Sequence, residues 1–165
     1  MQHSSMTRPE NHVMKSFERY GSMLYRIAMA HLGNREDAEE ATQDTFIKLM
    51  EKAPVFKDAE HQKAWLIRVI TNHCKTMLGR SWRRREIKLD GAETAAAGDA
   101  PEEMALLQLV LSLPVKYRAV IHLYYYEDIP VQDISRILEI SESAVKMRLQ
   151  RGRHLLRLEL EGAEA

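Results

Sequence analysis

The chain is poor in the residues that build small reactive or cross-linked sites. Cys74 is its only cysteine, which excludes an intrachain disulfide and a multi-cysteine zinc site. No apolar run approaches the roughly 18 residues of a membrane-spanning helix. The stretch from Met1 to Asn11 lacks the apolar centre of a secretory leader. A cytoplasmic protein without stable membrane insertion is expected, in a reducing compartment. Phosphate-binding glycine loops, HExxH and the nucleophile elbow are all missing, and the carboxylates fall on solvated helical faces. No enzyme, cofactor site or metal site is therefore expected, and adjacent His73 and Cys74 have no distant cysteine and no second nearby ligand spaced to complete a tetrahedron.

Net charge is missing too, with 24 basic residues against 24 acidic ones. The balance is global and not local. Glu36 to Asp44 holds five acids and no base; Lys146 to Arg157 holds five bases, His154 and no acid; Lys75 to Lys88 sets six bases against Glu86 alone. Separate surfaces for different partners are implied.

The run LDGAETAAAGDAP offers almost nothing to a core and reads as a flexible linker over 89–101. It splits an all-α chain into two small helical domains, 13–88 and 102–161. Blocks of that size are marginal alone, and one leaning on a partner is expected.

In the first block Phe17, Tyr20, Met23, Leu24, Ile27, Ala28 and Leu32 recur at helical spacing, and Gly33 is a stop. Asn34 with Asp37 suits a capping box for a second helix. That helix turns Ala38, Ala41, Thr45, Phe46 and Leu49 inward until Pro54 ends it. Glu39, Glu40, Gln43, Asp44 and Lys48 stay outside, as a protein-docking face or as the ordinary preference of helix starts for acids. A third helix over about 64–78 places Leu66, Ile70, Cys74 and Met77 inward, with Ile67 and His73 at the margins. Trp65, Arg68, Asn72, Lys75 and Thr76 share its other face, which suits stacking on an unpaired base while holding its backbone. Packing of Trp65 against a neighbouring helix is the alternative. Arg80, Arg83, Arg84 and Arg85 follow as phosphate contacts, with Trp82 as anchor or stacking ring.

The second block opens with a helix over about 102–112 carrying Met104, Leu107, Val110 and Leu111. Another follows from Pro114 to about Tyr126 through Tyr117, Val120, Ile121 and Tyr124. VQDISRIL, the break EIS and a long final helix capped by Ser141 then have helix-turn-helix spacing. Val145, Leu149, Gly152 and Leu156 stack on its inner side. Ser143, Lys146, Gln150 and Arg153 lie opposite, with Arg157 continuing the row. Ser143 and Lys146 are placed for base edges, Arg153 and Arg157 for phosphates, and Arg148 and Arg151 sit on a flank. A basic helix alone is as often a solvated face; the short helix, turn and capping serine favour DNA.

Taken in order, LYRIAMAHLGNREDAEEATQDTFIKLM, KAWLIRVITNHCKTMLGRSWRRR, LSLPVKYRAVIHLYYYEDI and DISRILEISESAVKMRLQRGRHLL resemble the two-domain bacterial sigma factors of the extracytoplasmic-function group, a branch of the sigma-70 family. The resemblance covers about residues 14–160. It implies a factor that binds core RNA polymerase and directs promoter-specific initiation without enzymatic activity of its own. It further implies docking of the second helix, through Asp37, Glu40, Gln43, Asp44 and Lys48, on the clamp coiled coil of polymerase. The segment from Phe56 through Asn72 would recognise and melt the minus-ten element and hold the melted non-template strand. The final helix, Glu142 to Arg153, would read the double-stranded minus-thirty-five element, and an anti-sigma factor is a further implied partner. Three positions depart from the family pattern: Pro130 where Ser or Thr is frequent, Glu139 in place of a turn glycine, and Gly152 in place of alanine, which should loosen the helix by about 0.5 to 1 kcal/mol. The rival readings are a helix-turn-helix regulator with a sensing or dimerising first block, which leaves KAWLIRV and WRRR without a task, and a helical adaptor for proteins only.

Overall fold

The computed structural model describes residues 9–87 and 108–163, so the linker expected at 89–101 and the side chains of Met104 and Leu107 lie outside the described residues. All regular structure among the described residues is helical. The order is α1 (Pro9–Leu32), α2 (Arg35–Lys52), α3 (Ala59–Ile87), α4 (108–112), α5 (Val115–Ile121), a π-helical turn (His122–Tyr126), α6 (Val131–Leu138) and α7 (Glu142–Ala163).

Helices α1 to α3 pack as a bundle around Leu24, Ile27, Ala38, Ala41, Leu66, Ile70 and Cys74, all fully buried. The ends of these helices follow from local chemistry. Gly33 takes the left-handed conformation at φ 73° and its N–H bonds the Met29 carbonyl at 2.9 Å, which closes α1. Asn34 Oδ1 then accepts the Asp37 N–H at 2.9 Å, while Asn34 Nδ2 donates to Asp37 Oδ2 at 2.9 Å. The N-cap bond of the predicted capping box is thus made, while the Asp37 carboxylate takes the Asn34 side-chain amide in place of the Asn34 backbone N–H that a capping box would use. At the other end of α2, Ala53 precedes Pro54 and is barred from helical backbone, so it turns to φ 40°.

Three expectations for this bundle need correction. Phe17 is 48% exposed: it packs edge-on against Phe46 at 5.1 Å and lines an open groove between α1 and α2 instead of joining the core stripe. Ile67, read as marginal, is fully buried: it lines a groove with Ile129 and Ile137, so the second half of the chain covers it. Helix α3 is also longer than 64–78. Asp58 Oδ1 accepts the His61 N–H at 2.8 Å and starts the helix early, while the open space around Gly79 gives the chain no reason to break there.

The second half departs once from expectation. In place of one α-helix to Tyr126, the chain widens at His122, and the Glu127 N–H reaches back five residues to the His122 carbonyl at 3.2 Å. The wider turn lets His122 and Leu123 both face the core, and it leaves Tyr124, expected inside, 38% exposed beside Tyr125 and Tyr126. Helix α6 spans the predicted VQDISRIL, with Ile134, Ile137 and Leu138 buried. Glu139 accepts the left-handed angle that a glycine would take freely, at φ 58°. Ile140 N–H and Ser135 hydroxyl close the turn onto each other's backbone carbonyls at 3.1 and 2.5 Å. Pro130 sits at the N-cap of α6, where it sacrifices no helical hydrogen bond.

The two halves pack together, α1 against α5 and the π-turn, and α3 against α6. Arg118 carries much of this joint: it donates to the carbonyls of Leu111 at 2.9 Å and Leu113 at 3.2 Å within its own half, and to the His31 carbonyl across it. Burial lowers the Arg118 pKa. His31 and His122, buried at the same joint, are both pushed down to about 4 by loss of solvent and are neutral near pH 7. No described helix is long and apolar enough to cross a membrane.

Candidate nucleic-acid interface

Helices α6 and α7 pack against each other as a helix-turn-helix. Ser141 Oγ accepts the Ala144 N–H at 3.0 Å, so the first turn of α7 starts at a fixed place. Val145 and Leu149 anchor the inner face at 0% and 2% exposure. Gly152 is buried, and the reason is packing: a Cβ there would stand 3.0 Å from Ile121 Cγ1 and 3.1 Å from Ile121 Cδ1. The glycine therefore admits α5 against α7, which offsets the helix loosening that its propensity alone predicts.

The opposite face is free. Ser141, Ser143, Lys146, Gln150, Arg153 and Arg157 are exposed, and Arg148 is half-buried. Gln150, Arg151, Arg153 and Arg157 line one open groove along α7 with Met147 and His154. Arg153 is held in place by two contacts, from Nε to the Leu149 carbonyl at 3.2 Å and from Nη1 to the Tyr125 hydroxyl at 3.1 Å. Sequence reasoning did not single out Tyr125; the signal was the YYY run, three exposed aromatics in a row.

On α3, Trp65 is partly buried, edge-on to Phe56 at 5.6 Å, and Phe56 meets the His61 ring at 5.4 Å. Asn72, Lys75 and Arg80 are exposed on the same helix. The side chains of Arg83, Arg84 and Arg85 lie outside the described residues, although their backbone continues α3. Arg68 is engaged: its Nη2 donates to the Arg136 carbonyl at 2.7 Å and its Nη1 lies 3.7 Å from Glu139 Oε1. Through Arg68 the end of α6 and the turn that follows it are thus tied to α3.

On α2, Glu40, Gln43 and Lys48 are exposed and Asp37 and Asp44 half-buried. Asp44 Oδ2 faces His73 Nε2 at 3.0 Å, which ties this surface to α3. Among the described residues no group of acids, histidines and the cysteine is arranged to hold a metal ion. The Cys74 thiol is buried, and desolvation pushes its pKa up to about 12, so it is an inert core group.

Residues 16–84 match Sigma-70 region 2 and residues 103–156 match Sigma-70 region 4. The chain is 29% identical to the extracytoplasmic-function sigma factor SigW of Bacillus subtilis over 86% of this chain and 84% of that protein. It is 32% identical to SigE of Mycolicibacterium smegmatis over 84% of this chain and 57% of that one. Among solved structures, the sigma factor RpoE of Bartonella quintana, in complex with the anti-sigma factor NepR, superposes with TM-score 0.75 at 20% identity over 90% of this chain and 96% of that chain. CnrH, in complex with the cytosolic domain of CnrY, gives 0.70 at 21% identity over 93% and 90%. Two ordered family regions, relatives that match along most of this chain and a shared helical fold place the chain among the extracytoplasmic-function sigma factors of the sigma-70 family of RNA polymerase.

Proposed function

We propose a division of labour within this sigma factor, a non-catalytic subunit that binds RNA polymerase and directs promoter recognition. Helix α7 reads the duplex minus-thirty-five element, and its first turns, with Ser143 and Lys146, face base edges. Arg153 and Arg157 hold phosphates, and Arg148 and Gln150 support them from the flank and the centre. Helix α3, with Trp65, Arg68, Asn72, Lys75, Arg80 and the Arg83 to Arg85 run, engages the minus-ten element and the melted non-template strand, where an aromatic face offsets the loss of stacking. The outer face of α2, Asp37, Glu40, Gln43, Asp44 and Lys48, docks on polymerase.

The single observation that carries this reading is the capped, glycine-packed α7, buried on one side and lined on the other by exposed Ser143, Lys146, Gln150, Arg153 and Arg157. Because Arg68 is bonded to the Arg136 carbonyl in the last turn of α6, DNA engagement by Arg68 requires that contact to open. Two DNA surfaces on one chain gain effective concentration once polymerase fixes them on one promoter. The RpoE structure holds a sigma factor with the anti-sigma factor NepR and the CnrH structure holds CnrH with the cytosolic domain of CnrY, and the shared fold supports an anti-sigma partner for this chain as well.

Permanganate footprinting of the polymerase complex tests the α3 assignment. The Trp65→Ala variant should bind core polymerase and leave the minus-ten thymines less reactive than wild type does; undiminished reactivity would return Trp65 to a purely packing role with Phe56.

A further inference from the structure

Three tyrosines stand exposed on the π-turn just before the helix-turn-helix, a surface feature that the division of labour above leaves without a task. They are not equivalent. Tyr126 stacks on the buried His122 ring at 5.4 Å, and Tyr124 meets Tyr125 edge-on at 4.9 Å. Tyr125 alone reaches α7, where its hydroxyl accepts the Arg153 Nη1 hydrogen at 3.1 Å.

The backbone explains why that residue reaches. Tyr117 and Ile121 are the α5 side chains that press on Gly152 of α7. A continued α-helix would carry the residue four further on progressively round, away from that line. The wider π-turn winds more slowly and returns Tyr125 to it. The same distortion that exposes Tyr124 therefore aims Tyr125 at the edge of the basic helix.

Hydrogen-bond inventory then gives the phenol a direction. A tyrosine hydroxyl has one proton to give and lone pairs to receive. Here a lone pair is used by a guanidinium, which polarises the O–H and strengthens it as a donor, while 47% exposure leaves the group open to solvent. The guanidinium, in turn, has Nε spent on the Leu149 carbonyl at 3.2 Å and is fixed along the open groove of α7. A positive charge beside a polarised neutral donor on the flank of a reading helix matches one ligand, a phosphate diester of the DNA backbone.

We propose that Tyr125 and Arg153 form a single backbone-phosphate site, in which Tyr125 orients Arg153 and donates its own proton to a phosphate oxygen. The proposal rests on the assignment of α7 to duplex DNA. It adds a residue from outside the helix-turn-helix to that contact and gives the π-turn a function.

Binding of the full chain to a fluorescein-labelled mixed-sequence DNA duplex, followed by anisotropy over a salt series, tests it. Tyr125→Phe should weaken binding about tenfold, the scale of a hydrogen bond to a charged group, and leave the slope of log affinity against log salt unchanged because no charge is lost. Arg153→Ala should reduce that slope by about one. In the Arg153→Ala background the Tyr125→Phe loss should shrink, which is the signature of one coupled site. Tyr126→Phe should bind as wild type. Wild-type affinity for Tyr125→Phe, or losses that simply multiply in the double variant, would overturn the proposal. If those results come with a clear loss for Arg157→Ala, the DNA role of α7 survives; a wild-type chain that ignores the duplex at low salt overturns both.

Discussion

Arg26 and Glu127 close the joint between the two halves: Nε and Nη2 of the arginine reach the two carboxylate oxygens at 2.8 and 3.3 Å, and the Glu127 side chain is only 2% exposed. The arginine is half in solvent, so part of the attraction is screened, while the carboxylate is not. His122 Nε2, 3.8 Å from the same carboxylate, belongs to a ring that burial keeps neutral and so does not replace the arginine. Arg26→Ala should cost about 1 to 3 kcal/mol in urea unfolding by stranding the buried carboxylate. Adding Glu127→Gln should recover part of that loss, whereas an additive double variant would show that the two groups are not coupled.

Acid should loosen this joint. A histidine whose folded pKa lies near 4 against 6.5 unfolded binds fewer protons folded than unfolded, so stability is full above the unfolded value and falls as pH drops from about 6.5 toward 4. His31 contributes up to about 3 kcal/mol to that fall. Melting temperature measured across this window should decline, and a His31→Leu variant should show a shallower decline. An unchanged slope would mean that the folded protein accommodates the imidazolium.

Gly152 and Gly79 make a matched pair. Both lie inside helices, yet a Cβ at Gly152 would press on Ile121 at 3.0 Å whereas one at Gly79 meets nothing within 4 Å. Gly79→Ala should stabilise by about 0.5 to 1 kcal/mol through helix propensity. Gly152→Ala should destabilise by about 1 kcal/mol, since the overpacking of α5 against α7 outweighs the same gain. Equal stabilisation by both would show that the α5–α7 contact yields easily.

Lys146 stands exposed one turn into α7 and is assigned to base edges, whereas Arg157 lies further along and is assigned to phosphate. In competition binding among promoter variants, Lys146→Ala should change the preferred minus-thirty-five sequence, with about 1 to 3 kcal/mol of discrimination lost at one position. Arg157→Ala should weaken all sequences alike. The same uniform loss for Lys146→Ala would move that residue to the backbone class.

What the sequence makes legible here is what is local. The Asn34 and Ser141 caps, the bounds of α6 and the Val145, Leu149, Gly152 stripe each depend on residues within a few positions of one another, and periodicity exposes them. The start of α3 is local as well, at Asp58, but weaker, since no apolar stripe begins there. The joint is different in kind. Arg118 to the His31 carbonyl, Arg68 to the Arg136 carbonyl and Arg26 to Glu127 connect residues far apart in sequence, and a backbone carbonyl acceptor leaves no mark on sequence pattern. Tyr124 and Tyr125 were illegible for a third reason: the π-turn reassigns faces, so a phase counted at the α-helical period points to the wrong tyrosine.

Run-off transcription with purified core polymerase and this chain, on fragments that carry candidate promoters, bears most directly on the division of labour. Selective transcripts should start from a discrete set of fragments, disappear when the chain is omitted, shift in promoter choice with Lys146→Ala and lose duplex opening with Trp65→Ala. Folded chain that fails to associate with core polymerase, or that yields no selective transcript, would contradict it.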